Sequence, residues 1–312
     1  MINVGYLHHK SKINGTEDYL FKYFSEDINI QDNYCDETTD IIYCAQHLEL
    51  KRGWKAKKRF NKPLICWVWD ICDNIESTCR NGDELSYYRK SNRKFLKDLN
   101  LLRKCDKLLT SSKYTHNKLS SYELDSEILP PHFNNKILDL YKRDDIKKTN
   151  NVIQVSRLLP HKRFDITRDS IVNTDINACF IGPRSNEYSK SIEEFSNINI
   201  KYNLKKIDVV KEIQSSDILV SPSVFEGFGL SIAEAIYLNV PVIASDIEIF
   251  KEMWGDTIYY FEKDNPEDLN KKINYVLNNK ELADDKVLEA KERLNLFLED
   301  KHIERLEKLF LQ

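Results

Sequence analysis

Two carboxylates separated by seven residues, Glu226 and Glu234, enclose the string Gly-Phe-Gly-Leu-Ser-Ile-Ala. Gly227 and Gly229 bracket Phe228, so the backbone there can take positive φ and come close to a ligand. A helical run is expected from about Leu230, and the free amides and dipole at its start favour an anion, phosphate above all. Glu234 would then lie about 6 Å further along the helix axis, where a carboxylate accepts hydrogen bonds from a diol such as a ribose. Glu226 would point toward a ligand from the loop before the glycines. One carboxylate before an anion site and one behind it suit a nucleoside diphosphate carrying a sugar better than a bare phosphate. On spacing alone, two such glutamates more often mark a solvated helix face.

A second set lies upstream. Arg157 and Lys162 flank a turn centred on Pro160. Two cations in one loop could hold a diphosphate from the side opposite a glycine turn. An isolated pair of this spacing means little.

The segment from Glu226 to Glu234, continued by Asn-Val-Pro-Val-Ile-Ala-Ser245, resembles the donor-binding segment of the retaining GT-B glycosyltransferases of the family 4 type (glycosyl transferases group 1). Arg157 and Lys162 resemble the cations with which that family stabilises the leaving nucleoside diphosphate. The resemblance implies an α/β chain of the GT-B class, two Rossmann-like domains facing across a cleft. It implies a metal-independent hexosyltransferase that moves a sugar from a UDP- or GDP-sugar with retention, without a cofactor. There is no convincing Asp-x-Asp metal motif. Arg157, Lys162 and Glu226 carry the implied catalytic roles, Glu226 by contacting the sugar hydroxyls. Donor binding falls to these three with Gly227, Phe228, Gly229, Leu230, Ser231 and Glu234, and to Gly15 in the first loop, where the family often has a glycine pair. Trp69 and Asp70 are the acceptor-side candidates. Many members have His where this chain has Trp69, and a glycine where it has Arg163; indole can stack on a sugar but cannot share a proton as imidazole does. The alternatives are a GT-B epimerase or phosphorylase, and a non-catalytic nucleotide-sugar binder or partner subunit.

The elements that must position these residues can be read in order. Short β-branched and aromatic runs at Ile2 to Leu7, Ile41 to Cys44, Lys62 to Asp70 and Asp106 to Thr110 read as strands of a first domain, expected over 1–140. Helical apolar spacing marks Thr16 to Ser25 and Glu84 to Leu102. A charged stretch from Pro130 to Asn150 reads as a linker. A second domain over 151–295 restarts with strands at Asn151 to Ser156, Ala178 to Ile181, Asp217 to Val220, Pro241 to Ala244 and Thr257 to Phe261. The loop from about Tyr202 to Ile207 corresponds to the family's nucleobase contact. Helices are expected over Pro266 to Asn278 and Lys280 to Phe310, and the resemblance implies that 296–312 returns to the first domain.

Composition limits the function classes. At 41% hydrophobic and 31% charged residues the chain is globular, not disordered, and no apolar run approaches a membrane span. Absence of a signal-peptide core at the N-terminus points to the cytoplasm. The seven cysteines show no Cys-x-x-Cys and read as reduced and buried. A zinc site on Cys66, Cys72 and Cys79 has the wrong spacing. Residues 1–150 carry 26 Lys and Arg against 22 Asp and Glu, and the remainder 21 against 28, too weak an imbalance for nucleic acid as the main ligand. Within the first half, Lys51 to Lys62 holds seven cations and no acid. It reads either as a solvated basic face or as a contact for an anionic acceptor or a membrane surface. The acceptor itself, whether glycan, lipid, protein or small molecule, is not encoded in any motif.

Overall fold

The computed structural model describes residues 1–8, 24–71, 82–183, 188, 192 and 195–312. The chain divides into two compact units, Met1–His132 with Phe297–Gln312, and Phe133–Leu296. The division falls at residue 132 rather than 140. The stretch expected to be a linker instead begins the second unit with a short helix, Asn135–Asp139, whose first turn is capped by the Asn134 side chain accepting from Ile137 N at 3.3 Å.

The first unit is built on β1 (Ile2–Leu7), β2 (Ile28–Asp32), β3 (Ile41–Cys44), β4 (Leu64–Val68), β5 (Lys107–Thr110) and β6 (Glu127–Ile128). They form one parallel sheet in the order β2-β1-β3-β4-β5-β6. Alternation along the strands sorts side chains to two faces. Ile42, Cys44, Leu64, Cys66 and Val68 join one buried cluster, while Tyr43, Ile65 and Trp67 join the other. The first face is covered in part by α1 (Leu50–Phe60) and α2 (Gly82–Leu102). The second is closed by the C-terminal helix, whose Leu306 and Phe310 are buried in the same cluster as Tyr43 and Trp67. Phe310 meets the Tyr43 ring edge-on at 5.4 Å.

The second unit contains β7 (Asn150–Val155), β8 (Ala178–Gly182), β9 (Ile198–Tyr202), β10 (Ser216–Ser221), β11 (Val242–Ser245) and β12 (Tyr259–Phe261). Its parallel sheet runs β12-β11-β10-β7-β8-β9. This is the doubly wound Rossmann order, in which the chain reverses its direction of winding between β7 and β10. Ligands in such sheets bind beyond the carboxyl ends of the strands at that reversal. Both sides of β7 and β10 are buried, which explains why they read as apolar runs rather than alternating ones.

The expected single helix over Lys280 to Phe310 is two helices, Lys280–Leu294 and Glu299–Phe310. Leu298 between them is extended, at φ −63 and ψ 148, and Phe297 is buried. An apolar side chain drawn inward at that point redirects the chain. Gly15, and most of the helix expected over Thr16 to Ser25, lie outside the described residues, as do Cys72 and Cys79. Among the described residues no helix is long and apolar enough to cross a membrane.

Candidate functional site

The loops leaving β7 and β10 bring together most of the residues singled out in the second unit. After β7 the chain turns through a 3-10 turn, Pro160–Lys162, with proline at its start, where the missing N–H costs nothing. Gln154, buried on β7, donates to Lys162 O at 2.7 Å and accepts from Thr167 Oγ1 at 2.7 Å. The Lys162 backbone is thereby fixed to the strand. The two loops are also tied to each other, because Val224 N donates to His161 O at 2.9 Å.

Arg163 occupies the position where the family resemblance implies a glycine. Its backbone is in the left-handed region, φ 49, so the turn keeps a conformation that glycine favours although the residue is arginine. The side chain is 1% exposed, forming an ion pair from Nε to Asp264 Oδ1 at 2.9 Å and donating to Pro160 O at 3.2 Å. Left-handed backbone costs a non-glycine residue about 1–2 kcal/mol. A buried, hydrogen-bonded guanidinium is what holds it there.

Lys162 and Glu226 form an ion pair, both largely shielded from solvent. Ser223 Oγ donates to the same carboxylate oxygen at 3.2 Å. Arg157 is exposed and pairs with no carboxylate among the described residues. His161, between these cations, is buried, and burial followed by the charges of Lys162, Arg157 and Arg163 pushes its pKa well below the usual imidazole value. It is a neutral spacer, not a third cation.

Beyond β10 the turn reaches Gly229 at φ 90, the residue preceding the helix Leu230–Tyr237. A Cβ at Gly229 would stand 3.0 Å from both Ile232 Cδ1 and Phe250 Cε1, so conformation and space both demand glycine. No side chain caps this helix and its first turn carries no acid; the Leu230 and Ser231 amides therefore face the loop uncompensated by charge. Phe228 gives only its backbone to that surface, because its ring is buried against Trp254 at 5.4 Å. Glu234, one turn along, pairs with Lys206. Lys206 opens the helix Lys206–Gln214, within the segment expected to lie against a nucleobase. No spacing in the sequence points to its pairing with Glu234.

In the first unit Trp69 lies just past β4, half-buried. Its indole N–H is committed to Ala45 O at 3.0 Å, and its ring is 4.6 Å from Trp67 and 6.2 Å from His132. His302, from the C-terminal helix, packs 4.8 Å from Trp67 and 4.6 Å from His132, with Nδ1 3.0 Å from Pro130 O. Burial first, and His132 second, hold His302 well below the normal imidazole pKa. Asp70 follows Trp69 and is half-buried. Among the described residues no group of three or more His, Cys, Asp or Glu is placed to hold a metal.

Comparison with known proteins follows the same division. Residues 139–293 match the family model Glycosyl transferases group 1. An uncharacterized glycosyltransferase of Methanocaldococcus jannaschii is 31% identical over 188 residues, covering 57% of this chain and 51% of that protein. The O-antigen chain mannosyltransferase RfbU of Salmonella typhimurium is 27% identical over 246 residues, covering 72% of this chain and 67% of the relative. The chain thus spans about half the length of the archaeal relative and two thirds of the Salmonella one. Among solved structures, Anabaena HepE in complex with UDP and glucose superposes with a TM-score of 0.79 at 16% identity over 100% of both chains. The fold is accordingly GT-B, and residues 139–293, within the second unit, resemble the glycosyl transferases group 1 family.

Proposed function

We propose that the protein transfers a hexosyl group from a nucleoside-diphosphate sugar, a UDP- or GDP-sugar, to an acceptor hydroxyl with retention at the anomeric carbon and without a metal. One observation carries this reading. The loops after β7 and β10 meet where the Rossmann sheet reverses, and they present an exposed cation, Arg157, a buried one, Lys162, and an uncapped helix start at Gly229. That combination supplies three sources of positive potential to a diphosphate.

As the bond from the anomeric carbon to the diphosphate breaks, the electron pair leaves on phosphate oxygen. Arg157, Lys162 and the Leu230 and Ser231 amides offset that charge as it develops, usually the largest catalytic contribution. Lys162 is held by Glu226, so it reaches the phosphate pre-oriented, with Glu226 left to accept from sugar hydroxyls. Glu234 exchanges its Lys206 partner for the ribose diol. The complex of HepE with UDP and glucose and the mannosyl transfer named for RfbU support a hexosyl donor, and the first of them supports uridine diphosphate as its carrier. On the acceptor side, Trp69 offers a ring surface for stacking and no exchangeable proton toward the reaction, since its N–H is engaged by Ala45.

Calorimetric titration of the purified protein with UDP, GDP and ADP tests the proposal. Saturable binding of UDP or GDP at micromolar concentration, with ADP weaker, is the expected result. Failure of all three to bind would leave a nucleotide-sugar site without support. Binding with no turnover against a panel of acceptors would favour the non-catalytic reading that Trp69 raises.

A further inference from the structure

The basic segment Lys51 to Lys62 is the motif that the proposed reaction does not use. In the structure it is α1, Leu50–Phe60, ended by Asn61 in the left-handed conformation at φ 54. Leu50 and Gly53 are buried, and Trp54, Ala56, Lys57 and Phe60 lie at the margins. The exposed positions are Lys51, Arg52, Lys55, Lys58 and Arg59, so every residue the helix shows fully to solvent is a cation.

Internal demands account for only part of this. Arg52 is engaged by Glu49 at 2.7 Å and by Asn33, and Lys57 by Asp106 at 2.5 Å. Lys104 stands over the Trp54 ring at 4.8 Å and adds another charge beside the face. Among the described residues Lys51, Lys55, Lys58 and Arg59 have no carboxylate partner. The helix dipole favours cations at the last turn, which covers Lys58 and Arg59, but it disfavours Lys51 in the first turn. Lys51 and Lys55, Lys55 and Lys58, and Lys55 and Arg59 are like-charge neighbours on adjacent turns, a mutually destabilising arrangement. These four cations lie along about 12 Å of helix, little more than one Debye length at physiological salt, so their potentials add.

We propose that α1 is a docking surface for an anionic lipid bilayer, holding the protein at the membrane interface. A bilayer presents distributed negative charge on a broad surface, which matches a convex helix face better than a polymer that needs a groove. Three of the four cations, Lys51, Lys55 and Lys58, are point charges without the planar fork that reads phosphates individually, and the half-buried Trp54 and Phe60 sit at the edges of the basic face, beside Lys104 and Arg59 respectively, where interfacial aromatics anchor. The inference is independent of the sugar-transfer reading, because it rests on a different unit and on no residue assigned to the donor.

Sedimentation of the full chain with vesicles tests it. Vesicles of phosphatidylcholine with about a third phosphatidylglycerol should carry the protein down at low salt, and pure phosphatidylcholine should not. About 0.5 M salt should release it, since screening removes the surface potential beyond about 4 Å. Each lysine near such a surface contributes about a fivefold factor in partitioning, so K51Q/K55Q/K58Q together should lower it on the order of a hundredfold. A control, K263Q/K271Q/K280Q, removes three exposed lysines of the other unit and should leave partitioning unchanged. Equal sedimentation with neutral vesicles, or equal loss in both triple variants, would overturn the proposal. So would a wild-type protein that ignores anionic vesicles yet binds heparin through α1, which would make the face a polyanion site instead.

Discussion

The two units share a parallel α/β plan and use the carboxyl edge of the sheet in opposite ways. In the second unit that edge is ionic: Lys162 with Glu226, Lys206 with Glu234, Arg163 with Asp264, and Arg157 exposed beside them. In the first unit the corresponding edge of β4 is a packed set of rings, Trp67, Trp69, His132 and His302, with polar atoms turned to backbone carbonyls at Leu129, Ala45 and Pro130. An ionic edge can exchange its partners for a charged ligand. A ring cluster cannot do so without losing its packing, and it offers a surface rather than a charge. The difference teaches that charge at the edge and the fold's shared topology are separable: the sheet supplies the position, and the loop residues decide what can sit there.

The comparison is tested most severely at Arg163. Asp264→Ala removes the carboxylate that pairs with Nε of a guanidinium that is 1% exposed. Breaking such a pair from one side costs about 3–5 kcal/mol, because the other charge is left buried. Asp264 itself sits at φ 63, so part of the loss in the alanine variant is backbone strain. Asp264→Asn, which tolerates that conformation and can still accept a hydrogen bond, should cost less. Urea unfolding at neutral pH measures both, and an alanine variant within about 1 kcal/mol of the parent would mean the pair does not hold the turn.

Lys162→Ala comes next and addresses the proposed reaction. Removing one donor aimed at developing charge lowers kcat by about a hundred- to a thousandfold, while the far-ultraviolet spectrum should stay that of the parent. Initial rates equal to the parent's would take Lys162 out of the mechanism. Glu234→Ala is expected to be milder. A charge-assisted hydrogen bond is worth about 1.5–3 kcal/mol, so nucleotide affinity should fall by roughly 10- to 150-fold. Unchanged affinity by titration would show that the ribose is held elsewhere.

How much of this was legible in the sequence depends on how local each feature is. The glycine turn and its two glutamates lie within one stretch of chain, and the left-handed Gly229 stands where the string placed it. Five of the six strands of the second unit were legible as short apolar runs separated by turns, whereas β9, Ile198–Tyr202, alternates Ile-Asn-Ile-Lys-Tyr and carries no such run. Lys206 was not visible, since nothing in Lys-Tyr-Asn-Leu-Lys-Lys206 distinguishes it from Lys205 until the fold brings Glu234 to it. Arg163 looked like a lost glycine because its compensating partner, Asp264, is 101 residues away. Trp67 and Trp69 could be placed on one face by the period of a strand. Their neighbours His132 and His302 come from the end of the unit and from the last helix, and no local pattern links them.

Acid titration separates the two edges by the smallest of these effects. Each unit buries one histidine whose pKa lies well below the ordinary imidazole value, His161 in the second and His302 in the first, both chiefly through burial. In the unfolded chain each titrates near 6.5. Below that pH the unfolded state binds a proton that the folded state does not, so stability falls as pH falls. The slope approaches about 1.4 kcal/mol per pH unit for each histidine and disappears above about pH 7, where both states are neutral. His302→Gln should flatten the acid slope of the transition that reports on the first unit, and His161→Gln that of the second. The cause differs between them. His161 is held neutral partly by three neighbouring cations, so a bound diphosphate should raise its pKa and reduce the acid loss in the second unit alone. Among the described residues, the neighbours that lower the His302 pKa are His132 and Arg305, and nucleotide should not change its contribution. Urea titrations at about pH 5 and 7, with and without UDP, read out all four combinations. An acid slope that UDP reduces equally in the His161→Gln variant and in the parent would show that the nucleotide's charge is not felt at the β7 turn, and would break the assignment of that turn to the diphosphate.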